Sequence, residues 1–316
     1  MPFPAMIGGV WMSLLAFTTA SLAAQDGLRF TPMEVVHGKP YVMVMVNGRG
    51  PFRFVVDTGT GGQALITPEL AGQLDLPLAG RVRLTDPSGQ GLKDVPVVLV
   101  RSLQVAGVEF TGVRAIRHSL PDEDGSCQGL LGFTLFSDYL LTLDYPRRRL
   151  ALSNGTLEMG GKGSVLAFRM PDGVPIVTLS IDGLRIEAQL DSGGDGLSLP
   201  QELASRLKFA VDPVVFANGQ SFSTSFQLKE AKLASTVYLG RYGFPKPFVE
   251  INSAFPLANF GACPMQNFAL TFDQKNLLVR IDASRTTFAL PETPTAMHLT
   301  NMPPPKPPPP GLVPLG

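Results

Sequence analysis

The chain has 316 residues, enough for two lobes rather than one, and its 26 basic residues balance 26 acidic ones. That balance argues against nucleic acid as a partner, and the three histidines and two cysteines lack metal-ligand spacing, so neither a metal nor another cofactor is expected. Glycine (33) and proline (29) are frequent and only 16% of residues are charged, a mix that suits an all-β protein with many turns and a few short helices.

The chain opens on an export signal over residues 1–24. Ala5 to Ala20 is mostly apolar and uncharged, and Ser21-Leu22-Ala23 places small residues where a signal peptidase cuts, with cleavage after Ala24 as a close alternative. No Lys or Arg precedes the apolar run. The competing reading, an uncleaved membrane anchor, is disfavoured by Gly8-Gly9 and by the shortness of the run. No other segment is a candidate span, so the mature protein is expected in the periplasm or outside the cell and off the membrane. That compartment is oxidising, which makes Cys127 and Cys263 candidates for a disulfide, with two buried thiols as the alternative.

Asn47-Gly48 separates two apolar runs and predicts a hairpin, whose second strand ends on Asp57-Thr58-Gly59-Thr60. Thr67-Pro68 then starts a short helix through Glu69 to Leu74. A turn cluster follows at Asp86-Pro87-Ser88-Gly89-Gln90-Gly91. Leu130-Leu131-Gly132 comes next, with Asp144 twelve residues beyond Gly132, and Arg149 to Leu152 closes the unit. A glycine-rich stretch, Glu158 to Ser164, marks a boundary.

The series then recurs. Asp182-Gly183 lies nine residues before Asp191-Ser192-Gly193-Gly194, as Asn47 lies ten before Asp57. Glu202-Leu203-Ala204 echoes Glu69-Leu70-Ala71, with Leu199-Pro200 at the helix start. Phe216-Ala217-Asn218-Gly219-Gln220-Ser221 echoes the turn cluster. Asn259-Phe260-Gly261 echoes Leu130-Leu131-Gly132, with Asp273 twelve residues beyond Gly261. Residues 28–157 and 164–290 are therefore read as duplicated lobes. Residues 291–316 are proline-rich, with too few apolar side chains for a core, and read as an extended tail.

Two Asp triplets heading matched units bring two carboxylates together. On these motifs the chain resembles the pepsin and retroviral-protease superfamily, and more specifically bacterial exported retropepsin-like proteins. The likeness spans roughly residues 35 to 283. The resemblance implies a two-lobed, monomeric aspartic endopeptidase acting on a peptide or protein substrate, with Asp57 and Asp191 as the catalytic dyad. One carboxyl keeps a proton and donates it to the scissile carbonyl, while the charged partner takes a proton from a water; the proton belongs to the pair. Thr58 and Ser192 are implied to cross to the opposite lobe. Gly59 and Gly193 are implied to let N–H groups approach the carboxylates, with Thr60 and Gly194 beside them. Ser88, Gly89 and Gln90, with Gly219 and Gln220, are implied to form flaps over an extended peptide.

The second unit departs from the family pattern. Gly194 supplies no hydroxyl where Ala, Ser or Thr is usual, Asn259 stands where an apolar residue is usual, and neither flap candidate carries a tyrosine. These departures leave an inactive peptide-binding module as the alternative reading, and an assembly module using the proline tail as a third. Asp195 is expected to raise the upper limb of the activity profile if it points into the cleft. Asp144 and Asp273 are read as structural residues of closing turns. His37, His118 and His298 are read as surface or turn residues, Asp122-Glu123-Asp124 as a solvated loop, and Arg147-Arg148-Arg149 as a solvated turn.

Overall fold

The structure, a computed structural model, describes residues 28–85, 92–120, 126–160, 165–220 and 225–290. The fold is all-β, with three sheets and only short helices. Among the described residues no helix is long and apolar enough to cross a membrane.

Across the first sheet the strands lie in the order Glu34–Val36, Lys39–Val46, Arg49–Asp57, Gly129–Gly132, Ala64–Ile66, Val108–Arg117, Leu92–Val105 and Leu78–Thr85. Across the second they run Tyr242–Pro245, Thr236–Leu239, Ile176–Ile181, Leu184–Leu190, Ala258–Phe260, Leu197–Pro200, Phe248–Asn252, Ser225–Leu233 and Phe209–Gln220. From Lys39–Val46 in one and Ile176–Ile181 in the other, the strands correspond one for one. The pairings correspond as well: Arg49–Asp57 is parallel to Gly129–Gly132, and Leu184–Leu190 is parallel to Ala258–Phe260.

Local chemistry explains these elements. Asn47 and Gly48 both adopt positive φ, as do Asp182 and Gly183, which is the twist a two-residue hairpin turn needs. In Lys39–Val46 the even-numbered residues Val42, Val44 and Val46 are buried, the period-two signature of a strand on a core. The helix Pro68–Gln73 begins with Pro68 in its first turn, and the Thr67 hydroxyl accepts from the Leu70 N–H at 3.3 Å. Its counterpart Gln201–Ala204 has Pro200 at the cap and no side-chain cap bond.

The third sheet joins the two halves. Leu140–Asp144 pairs antiparallel with Ala269–Asp273, and Thr142 and Thr271 face one another with hydroxyls 2.9 Å apart. Arg149–Ser153 and Arg29–Pro32 extend it on one side, and Leu278–Asp282 and Val165–Ala167 on the other. Phe133, just after Gly132, packs edge-on against Phe272 of the second half at 5.2 Å. The core is therefore continuous beneath the two Asp loops.

The turn expected at 216–221 is absent from its described part, 216–220, and Ser221 lies outside the described residues. The strand Phe209–Gln220 continues to Gln220, with Gly219 opposite Phe226 and Gln220 opposite Ser225. Cross-strand pairing with Ser225–Leu233 overrides the turn preference of Asn218 and Gly219.

Candidate active site

Asp57 is the last residue of Arg49–Asp57 and lies beside Gly132. The loop after it is strutted by Gly132 N–H to Gln63 O (3.0 Å) and Phe133 N–H to Thr60 O (2.9 Å). A Cβ on Gly132 would lie 2.1 Å from Gly62 O, so only glycine fits. Asp191 is held in the same way: its N–H bonds Phe260 O (3.1 Å), Gly261 N–H bonds Gly196 O (2.8 Å) and Ala262 N–H bonds Gly194 O (2.8 Å). A Cβ on Gly261 would lie 2.5 Å from Gly196 O.

Thr58 and Ser192 make four hydrogen bonds between the two loops, two with each other and two with backbone carbonyls of the opposite strand. The Thr58 hydroxyl donates to Leu190 O (2.7 Å) and accepts from Ser192 N–H (3.0 Å). The Ser192 hydroxyl donates to Val56 O (2.7 Å) and accepts from Thr58 N–H (3.0 Å). Both side chains are buried, at 1% and 0% exposure, so these bonds form away from water.

The crossing brings the carboxyls of Asp57 and Asp191 together, near enough for the charge and hydrogen bonding of Asp191 to act on Asp57. Gly59 and Gly193 make this approach sterically possible. A Cβ on Gly59 would lie 2.4 Å from Asp191 Oδ1, and one on Gly193 would lie 2.4 Å from Asp57 Cγ. Each glycine thus clears space for the opposite carboxyl, besides offering its N–H to its own. Gly59 N–H donates to Asp57 Oδ1 at 2.8 Å and Gly193 N–H to Asp191 Oδ1 at 2.9 Å.

The two carboxyls differ in their remaining partners. Asp57 Oδ2 accepts from the Thr60 hydroxyl at 2.9 Å. Asp191 Oδ1 also accepts from Gly194 N–H (2.8 Å), and Asp191 Oδ2 accepts from Asn259 Nδ2 (2.8 Å). Burial first, then the charge of Asp191, pushes Asp57 up to about 7; the hydrogen bond between the carboxyls acts in the same direction, while the Thr60 hydroxyl and Gly59 N–H oppose it.

Three further residues touch this centre. Gln189 sends its amide to Gly59 O at 2.9 Å, another link between the halves. Tyr145 has its hydroxyl buried and unpartnered within reach of the charges of the dyad, and burial, then the charges of Asp191 and Asp57, raise its phenol far above the usual range. Asn259 was visible in the sequence only as a departure from the pattern. The signal was a polar residue standing where the first unit has Leu130, in the same unit that lacks a hydroxyl at 194.

Asp195 does not act on the dyad. Its carboxylate pairs with Lys39 at 3.1 Å, and its charge falls instead on Glu250 and Cys263. Burial first, then Asp195 and Glu230, push Glu250 up to about 7.

The disulfide between Cys127 and Cys263 is not formed. The cysteines occupy opposite ends of equivalent strands. Cys127 precedes Gly129–Gly132 at the end remote from Asp57, in a small apolar cluster with Val55 and Leu130, and its thiol donates to Gly129 O at 3.1 Å. Cys263 follows Ala258–Phe260 at the end beside the Asp191 loop, where its N–H bonds Asp195 O (2.8 Å).

Of the expected flap residues, Ser88, Gly89 and Gln90 lie outside the described residues, and Gly219 and Gln220 lie in a strand. His298, Asp122-Glu123-Asp124, the export segment and the proline tail also lie outside them. His37 is exposed and His118 is half-buried. Asp144 is buried and binds Arg147 and Arg149 (Nε 2.9 Å), so the arginine run braces a turn; Asp273 accepts from Leu157 N–H at 2.8 Å. Among the described residues no group of three or more His, Cys, Asp or Glu is arranged to hold a metal.

A comparison with curated proteins found no match. Residues 42–135, which contain Asp57, its glycine turn and the Leu130-Leu131-Gly132 strut, match the family model described as aspartyl protease, and this supports the superfamily read from the motifs.

Proposed function

We propose that this protein is an exported, monomeric aspartic endopeptidase with two lobes arisen by duplication, 28–157 and 164–290, working in the periplasm or outside the cell. The observation that carries this reading is the apposition of Asp57 and Asp191, one from each half, locked by four buried hydrogen bonds that Thr58 and Ser192 make across the two loops, two to each other and two to Leu190 O and Val56 O. The matching strand orders of the two sheets support the duplication.

The chemistry follows from the pair. Two carboxyls in contact cannot both ionise without strong repulsion, so one proton stays between them. The charged member takes a proton from a water as its oxygen attacks the peptide carbonyl. The protonated member donates to the carbonyl oxygen, and the resulting tetrahedral species collapses with transfer of a proton to the leaving amine. The two long hairpins, Leu78–Thr85 with Leu92–Val105 and Phe209–Gln220 with Ser225–Leu233, offer strand edges to an extended peptide.

The test is a peptide-library digest across pH 3–8 with wild type, Asp57→Asn and Asp191→Asn, with and without pepstatin. Pepstatin-sensitive cleavage by wild type, lost in both variants, supports the proposal. Activity retained in Asp191→Asn alone would point to a dimer using Asp57 twice. No cleavage by wild type at any pH would leave a peptide-binding module.

A further inference from the structure

We infer that Gly194 and Asn259 act as a matched pair: Asn259 supplies from a neighbouring strand the hydrogen bond that a hydroxyl at 194 would give, and it holds the negative charge of the dyad on Asp191, leaving the shared proton on Asp57. The inference rests on the dyad of the proposed peptidase, and it concerns which member of that dyad is base and which is acid.

The outer oxygens of the two carboxyls draw their hydrogen bonds from different elements. Asp57 Oδ2 takes its bond from a side chain three residues along its own loop, Thr60. Asp191 Oδ2 has no such side chain available, because position 194 is glycine. It takes its bond from Asn259 at nearly the same length, 2.8 against 2.9 Å. Asn259 faces Gln189 on one side and Ser198 on the other, as Leu130 faces Val55 and Leu65 in the first sheet. The site therefore keeps its donor by moving it from the loop to the adjacent strand.

The two solutions exclude each other. A Cβ on Gly194 would lie 2.4 Å from Asn259 Nδ2 and 2.5 Å from Asp191 Oδ2, so the amide fills the space a side chain would need. The backbone at Gly194 does not have positive φ, so the conformation itself would tolerate a side chain. The glycine is required by the neighbouring amide and by the Asp191 carboxylate that the amide holds, not by the turn.

The exchange has a chemical consequence. A hydroxyl can donate or accept, and it can follow a proton that moves between the carboxyls. An amide NH2 can only donate. The orientation of the Asn259 amide is set by the carboxylate, since reversing it would bring Oδ1 against Asp191 Oδ2, and the cost is a buried Oδ1 without a partner. Asp191 then receives three one-way N–H donors, from Gly193, Gly194 and Asn259, whereas Asp57 receives one N–H and one reversible hydroxyl. Charge settles where fixed donors converge. Asp191 is then the base that takes the proton of the water, and Asp57 the acid that donates to the carbonyl.

The experiment compares wild type with Asn259→Leu, Asn259→Ala and the double variant Gly194→Thr/Asn259→Leu. Two readouts are taken: carboxyl 13C titration of the dyad, and kcat/KM against pH on one peptide. Losing the amide should raise the first apparent pKa of the pair, and with it the acid limb, by about one pH unit in either single variant. The double variant, which returns a hydroxyl to the loop and an apolar residue to the strand, should bring the limb back toward wild type. A folded single variant with an unmoved titration overturns the inference, as does a uniform fall in kcat with the acid limb fixed. Should neither single variant fold, the double variant decides: a wild-type acid limb supports the exchange, and failure to fold overturns it. The titration needs no turnover, so an absence of cleavage by wild type would count against the peptidase reading without touching this one.

Discussion

Thr58→Val tests whether the crossed loops hold the two halves together. Valine replaces the hydroxyl by a methyl of similar size, so the change removes polarity rather than volume. It deletes the bond to Leu190 O (2.7 Å) and the bond from Ser192 N–H (3.0 Å), at a position only 1% exposed. Two backbone groups lose their partners in a site closed to water. Leaving a buried polar group unsatisfied costs about 1–3 kcal/mol, so the pair should cost about 2–6 kcal/mol. Against a typical folding stability of about 5–15 kcal/mol, that is a large share. The assay is equilibrium urea unfolding followed by far-UV circular dichroism, read as a fall in midpoint at unchanged slope. A loss below about 1 kcal/mol would contradict this account, since it would give these two bonds no more weight than ordinary surface ones.

Gly193→Ala should lower cleavage by about 10²-fold, because the new Cβ would fall 2.4 Å from Asp57 Cγ and force the carboxyls apart; retained kcat/KM on a peptide substrate would contradict the close-approach role. Asp57 is raised in the folded state, so the folded protein binds more protons than the unfolded chain between about pH 4 and 7, and stability conferred at this site falls as pH rises through that window. Wild type should accordingly lose stability relative to Asp57→Asn across it, by at most about 1.4 kcal/mol per pH unit, and parallel urea-unfolding curves at pH 4 and 7 would argue otherwise. Asp195→Asn should leave the upper limb of the activity profile in place, because Lys39 pairs with Asp195 and its charge reaches Glu250 rather than the dyad; a downward move of that limb on one peptide would show the opposite. Tyr145→Phe removes a buried hydroxyl without a partner and should stabilise the protein by about 1 kcal/mol, seen as a rise in thermal midpoint, while a clear loss would reveal a bond to that hydroxyl.

Much of the architecture was legible because it depends on short-range chemistry. Asn47-Gly48 and Asp182-Gly183 declare tight hairpins through their tolerance of positive φ. Thr67-Pro68 declares a helix start, and Val42, Val44 and Val46 declare a buried strand face by alternation. The turn expected near Gly219 is absent because a strand can run through Asn and Gly when a partner strand satisfies it. The proposed disulfide failed for a similar reason. Sequence distance from Gly132 and Gly261 put both cysteines beside equivalent elements, but Cys127 flanks the end of its strand remote from Asp57 and Cys263 the end beside the Asp191 loop. Asp195 was visible as a carboxylate near Asp191, whereas its partner Lys39 is 156 positions away in the chain.

What the sequence determined by itself is the repeated order of features and the residue types at its centre: two Asp triplets, two hydroxyls and two glycines at matched spacing, with alternating apolar strands to carry them. Which groups meet across that repeat depends on the assembled fold. Thr58 reaches Leu190, Gly59 clears space for Asp191, and Asn259 replaces the hydroxyl that Gly194 lacks. The physical reason is range. Turns and strand faces follow from the preferences of a few adjacent residues, whereas hydrogen bonds and close approaches in the site join backbone segments far apart in the chain, and their geometry is set by sheet register and by the packing that brings the halves together.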